Sequence, residues 1–266
     1  MDTSSANARG RKTILLLSGT SEGPLLARAL VEAGFHVRAT VTRQEACAHL
    51  FGTLGDNIDV EARGFTEESL AQFLLAKEAD LVLDATHPFA VRITLIAHKV
   101  CARLHVPYVR YERPDWPAPP GTHLVDSFAQ AAARLPDLGH RVMLTIGAKQ
   151  LKHFTHLHDR LTLFARILPS PISLAQALKE GFTREKVLCL RPPFSLEFNK
   201  ALFREYQVDV LVTKASGYEG GVVEKVTAAQ DLGMQVMMIR RPVLADLASV
   251  SSLEDAVALC RRLTFV

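Results

Sequence analysis

Residues 14–23 read ILLLSGTSEG and give the clearest sign of the fold. The four apolar residues Ile14 to Leu17 form a pattern typical of a strand that is buried on both faces. A turn with two glycines follows, and then the helical pattern PLLARALVEAG. Strand, turn and helix in this order predict a βα unit, in which the turn lies at the carboxyl edge of a parallel sheet.

The same alternation continues along the chain. Short apolar runs predict strands, and amphipathic segments between them predict helices, which indicates mainly parallel sheets covered by helices. The predicted strands are residues 13–17, 37–41, 81–84, 108–111, 142–146, 161–165, 187–190, 210–213 and 236–239. Residues 113–126, RPDWPAPPGTHLVD, break this rhythm, because four prolines and a glycine exclude a helix or a central strand. We predict a linker there and an α/β fold of two Rossmann-like domains, residues 1–116 and 117–266, with mainly parallel sheets and an interdomain cleft.

Composition narrows the classes of partner and compartment. The net charge of +3 over 266 residues is too small to indicate nucleic acid, but it permits an anionic ligand at a locally basic site. No apolar run reaches the roughly 18 residues of a membrane span, and the first twelve residues lack the apolar core of a signal peptide. Four widely separated cysteines without a C-x-x-C pair are typical of a reducing compartment. We therefore expect a cytoplasmic protein without a nucleic-acid or membrane partner.

The turn after the first strand is a candidate phosphate site. Backbone N–H groups and the partial positive charge of the following helix favour an anion at this point. Gly19 lets a ligand approach closely, and the side chains of Thr20 and Ser21 can donate hydrogen bonds. Glu22 belongs to the same predicted cofactor-binding turn. The G-x-G-x-x-G spacing is absent, so a turn with a purely structural role is the alternative.

The end of the second predicted strand indicates which dinucleotide would bind. A site that prefers NAD usually has an acidic residue there, which bonds the ribose hydroxyls. This chain has Thr42 and Arg43 instead, and a guanidinium favours the 2′-phosphate of NADP(H). We predict NADPH as the cofactor, with an ordinary surface arginine as the alternative for Arg43.

Other loops follow predicted strands and place polar residues at the same kind of edge. Thr86 and His87 in DATHPFA are predicted cofactor contacts, although a packed histidine is the alternative. In VTKASGYEGG, Ser216 and Gly217 are predicted cofactor contacts, and Lys214 is a predicted substrate-binding and catalytic residue, with a surface lysine as the alternative. The predicted substrate-binding residues, which suit an anionic ligand, are Arg113, Lys149, Arg191, Ser195 and Lys214.

A metal site is not expected. The segment KHFTHLHD holds three histidines, but positions i, i+3 and i+5 do not share one face of a helix or a strand. No acidic residue or cysteine stands at a matching spacing.

Five motifs, taken in chain order, resemble those of the precorrin-6A reductases: LLLSGTSEGPLLARAL, DLVLDATHPFA, VPYVRYERPDW, RPPFSLEFNKALFREYQVDVLVTKASG and AAQDLGMQVMMIRRP. The resemblance covers residues 14–242. This chain has Ser18 and Pro192 where that family frequently has glycine, and the proline leaves the contacts of the loop near Ser195 less defined.

The resemblance implies NADPH-dependent reduction of one C=C bond in precorrin-6A to give precorrin-6B, on the path to cobalamin. It implies an anionic tetrapyrrole substrate, expected in its cobalt-free form, with the cobalt-containing form as the alternative, and transient contact with neighbouring enzymes of the pathway. Lys214 and His87 are the candidate proton donors beside bulk water. A non-catalytic NADP sensor and a reductase of another small substrate are the remaining alternatives.

Overall fold

The structure is a computed structural model that describes residues 11–42, 44, 47, 51, 58–76, 78–244, 247 and 249–264. The chain divides into two compact units. The first contains the residues up to Arg113 together with those from Val243 onward, and the second contains Pro114–Pro242. Within the described residues, each unit has one six-stranded parallel sheet with helices packed on it, which confirms the predicted α/β fold with two Rossmann-like domains.

In the first unit, strand order places a switch point at the centre of the sheet. The order is β3-β2-β1-β4-β5-β12, so the connections leave β1 and β4 in opposite directions. Ligands of open α/β sheets bind outside the carboxyl ends of the strands at such a point. The strands are β1 (Thr13–Leu17), β2 (His36–Val41), β3 (Ile58–Ala62), β4 (Leu81–Asp84), β5 (Tyr108–Tyr111) and β12 (Ser249–Val250). The helices are α1 (Glu22–Glu32), α2 (Glu67–Leu75), α3 (Val91–Leu104) and α8 (Leu253–Thr264).

The central strand β1 has no solvent-facing side, because its side chains alternate between two apolar layers. Ile14 and Leu16 pack in the layer that contains α1 and α8, whereas Leu15 and Leu17 pack in the layer that contains α2 and α3. A strand covered on both faces must be apolar throughout, as ILLL is. This packing fixes the end of β1, and therefore the turn that follows it.

The second unit repeats this arrangement in the order β9-β8-β7-β10-β11-β6, with its switch point between β7 and β10. The strands are β6 (His123–Val125), β7 (Arg141–Leu144), β8 (Thr162–Ile167), β9 (Val187–Cys189), β10 (Val210–Lys214) and β11 (Gln235–Ile239). The helices are α4 (Phe128–Arg134), α5 (Pro171–Lys179), α6 (Leu196–Glu205) and α7 (Val222–Asp231). Lys149 follows β7, and Lys214, Ser216 and Gly217 stand at and just after the end of β10, so these predicted site residues share one edge.

The division of the chain differs from the predicted boundaries at both ends of the second domain. Residues 243–266 belong to the first unit, because β12 pairs with β5 and α8 buries Ala256 and Cys260 in the core beside α1. The predicted linker also contains the strand β6, which pairs with β11 at the edge of the second sheet. An edge position tolerates the prolines that precede this strand, because few backbone N–H groups are needed there.

Composition led to expectations about membrane spans and about the cysteines, and the structure gives an observation on each. Within the described residues, no helix is both long enough and apolar enough to cross a membrane. The cysteines are free thiols; Cys101 and Cys260 are buried, whereas Cys189 at the end of β9 is exposed.

Candidate functional site

The loops after β1 and β4 lie side by side at the switch point of the first sheet. The Thr20 hydroxyl donates to the Ala85 carbonyl at 3.2 Å, and the Ala85 N–H donates to the Leu17 carbonyl at 2.9 Å. A narrow pocket here is lined by both loops and by the residues after β5; its walls include Thr20, Thr86 and Arg113. The sequence-predicted turn and the DATHPFA loop are therefore brought together.

The first turn fits a phosphate group. Ser21 precedes α1 without capping it through its side chain. In the first turn of α1, the Gly23 N–H donates to the Thr20 carbonyl at 3.2 Å and Pro24 has no N–H, so these two positions offer a ligand no free backbone donor. Gly19 is exposed, and a Cβ at this position would meet nothing within 4 Å. The buried Ser18 hydroxyl has no hydrogen-bond partner in the described part of the chain. The turn thus offers an anion open space at Gly19, the Ser18 hydroxyl and the positive end of α1, whereas the Thr20 hydroxyl is already bound to Ala85.

Gly23 is required by packing rather than by backbone conformation. A Cβ on Gly23 would lie 1.8 Å from the Ser18 Oγ and 3.3 Å from the Phe51 ring. The first turn of α1 can therefore approach the end of β1 only if residue 23 has no side chain.

Glu22 and Arg113 form a buried ion pair beside this turn. The Arg113 Nε lies 2.7 Å from the Glu22 Oε1, and its Nη2 donates to Oε2 at 3.0 Å. Because both side chains are buried, this geometry stabilises the pair through two charge-assisted contacts. A predicted cofactor residue and a predicted substrate residue are thus brought together, and each neutralises the charge of the other.

A second buried network lies beneath the loop after β4. The carboxylate of Asp84 is fully buried and forms an ion pair with the buried Arg110 at 2.8 Å. It also accepts hydrogen bonds from the Thr86 N–H and hydroxyl at 2.9 and 2.7 Å, and from the Tyr108 hydroxyl at 2.9 Å. Burial, followed by the nearby Asp84 charge, raises the pKa of Tyr108. Site prediction from the sequence did not include Asp84, although it stands within DATHPFA.

This network determines what Thr86 and His87 can offer a ligand. The Thr86 hydroxyl proton is directed to Asp84, and its oxygen also accepts from Arg110 at 3.1 Å. The His87 Nδ1 accepts from the Phe89 N–H at 3.1 Å, which assigns the proton of the neutral ring to Nε2. Thr42 is exposed directly after β2, and Arg43 lies outside the described residues.

At the second sheet, the loop after β10 brings three predicted residues together. Lys214 is the last residue of β10, and its carbonyl accepts from the N–H of the buried Ser216 at 2.7 Å. Gly217 has a φ of 79°, a left-handed conformation that favours glycine, and begins a short 3₁₀ turn. Lys149 is exposed in the 3₁₀ helix Ala148–His153 after β7.

Three basic side chains, Arg166, Lys214 and Lys225, cluster near this edge. Burial lowers the pKa of Lys214 to about 8 and that of Arg166, near the end of β8, to about 10. Burial lowers the pKa of Lys225 in α7 to about 7, and repulsion from Arg166 and Lys214 adds to the shift, while Glu224 opposes it. Arg166 and Lys225 were not among the predicted site residues. The sequence patterns of β8 and α7 give no sign that these two side chains are buried.

Arg191 and Ser195 follow β9, two strands away from β7 in the sheet. Both are exposed. The Ser195 hydroxyl accepts from the Phe198 N–H at 3.1 Å and caps α6, which gives it a structural role besides the predicted one.

The histidines of KHFTHLHD are not grouped as metal ligands. His158 Nε2 lies 2.9 Å from the Glu180 carbonyl, and the His153 ring stacks on Phe128. In the described part of the chain, no three His, Cys, Asp or Glu side chains could hold a metal ion together.

Comparisons with known proteins agree with this arrangement. The profile of the family described as Precorrin-6x reductase CbiJ/CobK matches residues 13–261. A cobalt-precorrin-6A reductase from Synechocystis sp. is 38% identical over 234 residues, covering 86% of this chain and 88% of that protein. A precorrin-6A reductase from Rhodococcus erythropolis is 38% identical over 239 residues, covering 87% and 90%. The solved structure of a CobK precorrin-6A reductase is 25% identical, with a TM-score of 0.76 over 95% of this chain and 97% of that chain.

Proposed function

Because the chain belongs to the Precorrin-6x reductase CbiJ/CobK family, we propose that it reduces one C=C bond of precorrin-6A to give precorrin-6B in cobalamin biosynthesis. The chain is an oxidoreductase by this membership, and reductases of this kind generally use a nicotinamide cofactor.

The cofactor is NADPH, held at the switch point of the first sheet. The turn at Gly19, Thr20 and Ser21 binds the pyrophosphate through backbone N–H groups and the positive end of α1. Glu22 acts indirectly, because its ion pair with Arg113 fixes the first turn of α1. Thr42 and Arg43 flank the adenosine ribose, and the loop of Thr86 and His87 flanks the nicotinamide half. When bound, NADPH supplies the hydride for the reduction.

The substrate carboxylates bind at the edge of the second sheet. The cluster of the basic side chains Arg166, Lys214 and Lys225 is the observation that carries this assignment, because an anionic ligand favours the positive charge that burial and mutual repulsion disfavour there. Lys149, Arg191 and Ser195 extend the basic and hydroxyl-bearing edge toward further carboxylates. A tetrapyrrole with many carboxylates matches such a surface. Ser216 and Gly217 remain proposed cofactor contacts in the same loop.

Two side chains can deliver the proton that completes the reduction. Lys214 has a pKa lowered to about 8, which brings it close to the neutral range where a general acid works best. His87 carries its proton on Nε2, because Nδ1 accepts from Phe89. Of the two, Lys214 belongs to the proposed substrate edge, so we assign it the role of proton donor.

The cobalt-containing substrate is the second candidate, since the relative from Synechocystis sp. is a cobalt-precorrin-6A reductase at the same 38% identity as the one from Rhodococcus erythropolis. Either substrate presents the same carboxylates to the basic edge. We further propose a cytoplasmic location and transient contact with the enzymes that supply and consume the tetrapyrrole.

Turnover of both substrates under anaerobic conditions tests this function. The purified protein, NADPH and either precorrin-6A or cobalt-precorrin-6A should give oxidation of NADPH and a product with two more hydrogen atoms, measured by absorbance and mass spectrometry. Lys214→Ala should lower turnover strongly, whereas Lys179→Ala, at an exposed position in α5, should not. Failure to reduce either tetrapyrrole would contradict the proposal.

A further inference from the structure

Arg63 lies beside the end of β2, although it follows β3. In the parallel pair β2–β3, Val41 is in register with Ala62, and the Arg63 N–H donates to the Val41 carbonyl at 2.8 Å. Neighbouring strands are about 4.8 Å apart, so the Arg63 backbone is one strand spacing from the point where Thr42 follows β2. That point is where a dinucleotide fold receives the adenosine ribose.

The Arg63 side chain is held in place but keeps donors for a ligand. Its guanidinium lies over the rings of Phe65 and Phe73, at 5.0 and 5.1 Å from their centroids. Such stacking fixes the plane of the group and leaves the N–H groups at its edge accessible. The side chain is 37% exposed. Within the described residues, the guanidinium donates no hydrogen bond.

Glu61 is the acidic neighbour of this group. Its Oε1 lies 3.6 Å from the Arg63 Nη1, which is a loose ion pair beyond hydrogen-bond distance. A phosphate monoester carries nearly two negative charges and three acceptor oxygens, so it competes well against one loosely held carboxylate.

We propose that Arg63 binds the 2′-phosphate of NADP(H) and thereby contributes to the choice of NADP(H) over NAD(H). The inference rests on the proposed function, in which the first unit holds the cofactor. Arg63, which follows β3, would then bind the 2′-phosphate together with Arg43, the arginine that the sequence predicted for this role.

Arg38 offers a matched control, because its guanidinium also stacks on Phe73 but its backbone lies within β2, away from the carboxyl edge of the sheet. Its guanidinium lies 4.9 Å from the Phe73 centroid and pairs with Glu78, which precedes β4. Arg38 stands three residues before the end of β2, so its backbone is about 10 Å from the carboxyl edge. A variant at Arg38 removes a stacking contact on Phe73 and the ion pair with Glu78, but it removes no cation from the proposed site.

The test is calorimetric titration of wild type, Arg63→Gln, Arg63→Lys and Arg38→Gln with NADPH, NADH, 2′,5′-ADP and 5′-ADP. Loss of a charge-assisted hydrogen bond at an exposed site should weaken NADPH and 2′,5′-ADP about tenfold in Arg63→Gln. NADH and 5′-ADP should bind that variant as they bind wild type. Arg63→Lys should recover part of the loss, and Arg38→Gln should show none.

Other outcomes would overturn the inference. An equal loss of affinity for NADPH and NADH in Arg63→Gln would mean that Arg63 supports the fold or contacts the adenosine. Unchanged NADPH binding would mean that Arg63 does not contact the cofactor. In both cases wild type would still prefer NADPH, so the proposed cofactor would stand. Wild type that binds neither dinucleotide, or that prefers NADH, would overturn the cofactor assignment and this inference with it.

Discussion

Replacement of Lys225 by methionine should stabilise the unliganded protein. The ammonium group of Lys225 is buried in α7, and burial followed by repulsion from Arg166 and Lys214 lowers its pKa from 10.5 to about 7. At pH 7.5 the folded protein must therefore keep this lysine mostly neutral, whereas the unfolded chain protonates it. At about 1.36 kcal/mol per pH unit, the difference between 7.5 and 10.5 costs the folded state about 4 kcal/mol.

The difference in stability between Lys225→Met and wild type should decrease as the pH rises. Below pH 7 both the folded and the unfolded protein keep Lys225 protonated, and the folded protein bears the full free-energy cost of the buried charge. As the pH rises from about 7 toward 10.5, only the unfolded state retains its proton, so the wild type gains stability relative to Lys225→Met. The advantage of the variant should fall to about 2 kcal/mol at pH 9.

Thermal unfolding of the two proteins between pH 6.5 and 9 measures this difference. A gain of about 4 kcal/mol corresponds to a rise in Tm of roughly 10 °C at pH 7.5 for a protein of this size. Lys179→Met, at an exposed position in α5, is the control and should change little. No stabilisation by Lys225→Met at pH 7.5, or a gain that does not shrink with rising pH, would refute the reasoning.

Two further predictions concern the first unit. Arg110→Met leaves the Asp84 charge buried without its ion-pair partner and should destabilise the protein by about 3–5 kcal/mol, with part of the loss recovered in the Asp84→Asn double variant. Gly23→Ala brings a Cβ into the Ser18 side chain and should cost about 1–3 kcal/mol, which adding Ser18→Gly should largely relieve. Thermal unfolding checks both, and strictly additive effects within either pair would contradict the contacts.

Much of the fold could be predicted because its central strands are apolar on both faces. The predicted strands Thr13–Leu17, Leu81–Asp84 and Tyr108–Tyr111 agree with the structure at both ends. The strand β3, IDVEA, was missed because it alternates apolar and charged residues at the edge of the sheet, whereas the predicted strands were continuous apolar runs. The strand β12 was missed because two residues give no periodic signal. The return of α8 to the first unit depends on long-range packing, which local sequence patterns do not encode.

The candidate site was predictable where it depends on single loops after strands. The turn at Gly19 and the loops at Thr86 and Lys214 stand at carboxyl edges of the sheets, as their positions after buried strands predicted. The pairing of Asp84 with Arg110 joins residues 26 positions apart, and no spacing rule links them. The burial of Lys225 likewise arises from tertiary contacts, because a lysine in the first turns of a helix is usually exposed.

Direct titration of the purified protein with NADPH and with NADH, by calorimetry, tests the central claim that the first unit is an NADP(H) site. The proposed function predicts tight binding of NADPH with much weaker binding of NADH, and loss of both when Gly19 is replaced by a bulky residue such as valine. Equal affinity for the two dinucleotides, or NADPH binding that Gly19→Val leaves unchanged, would contradict it.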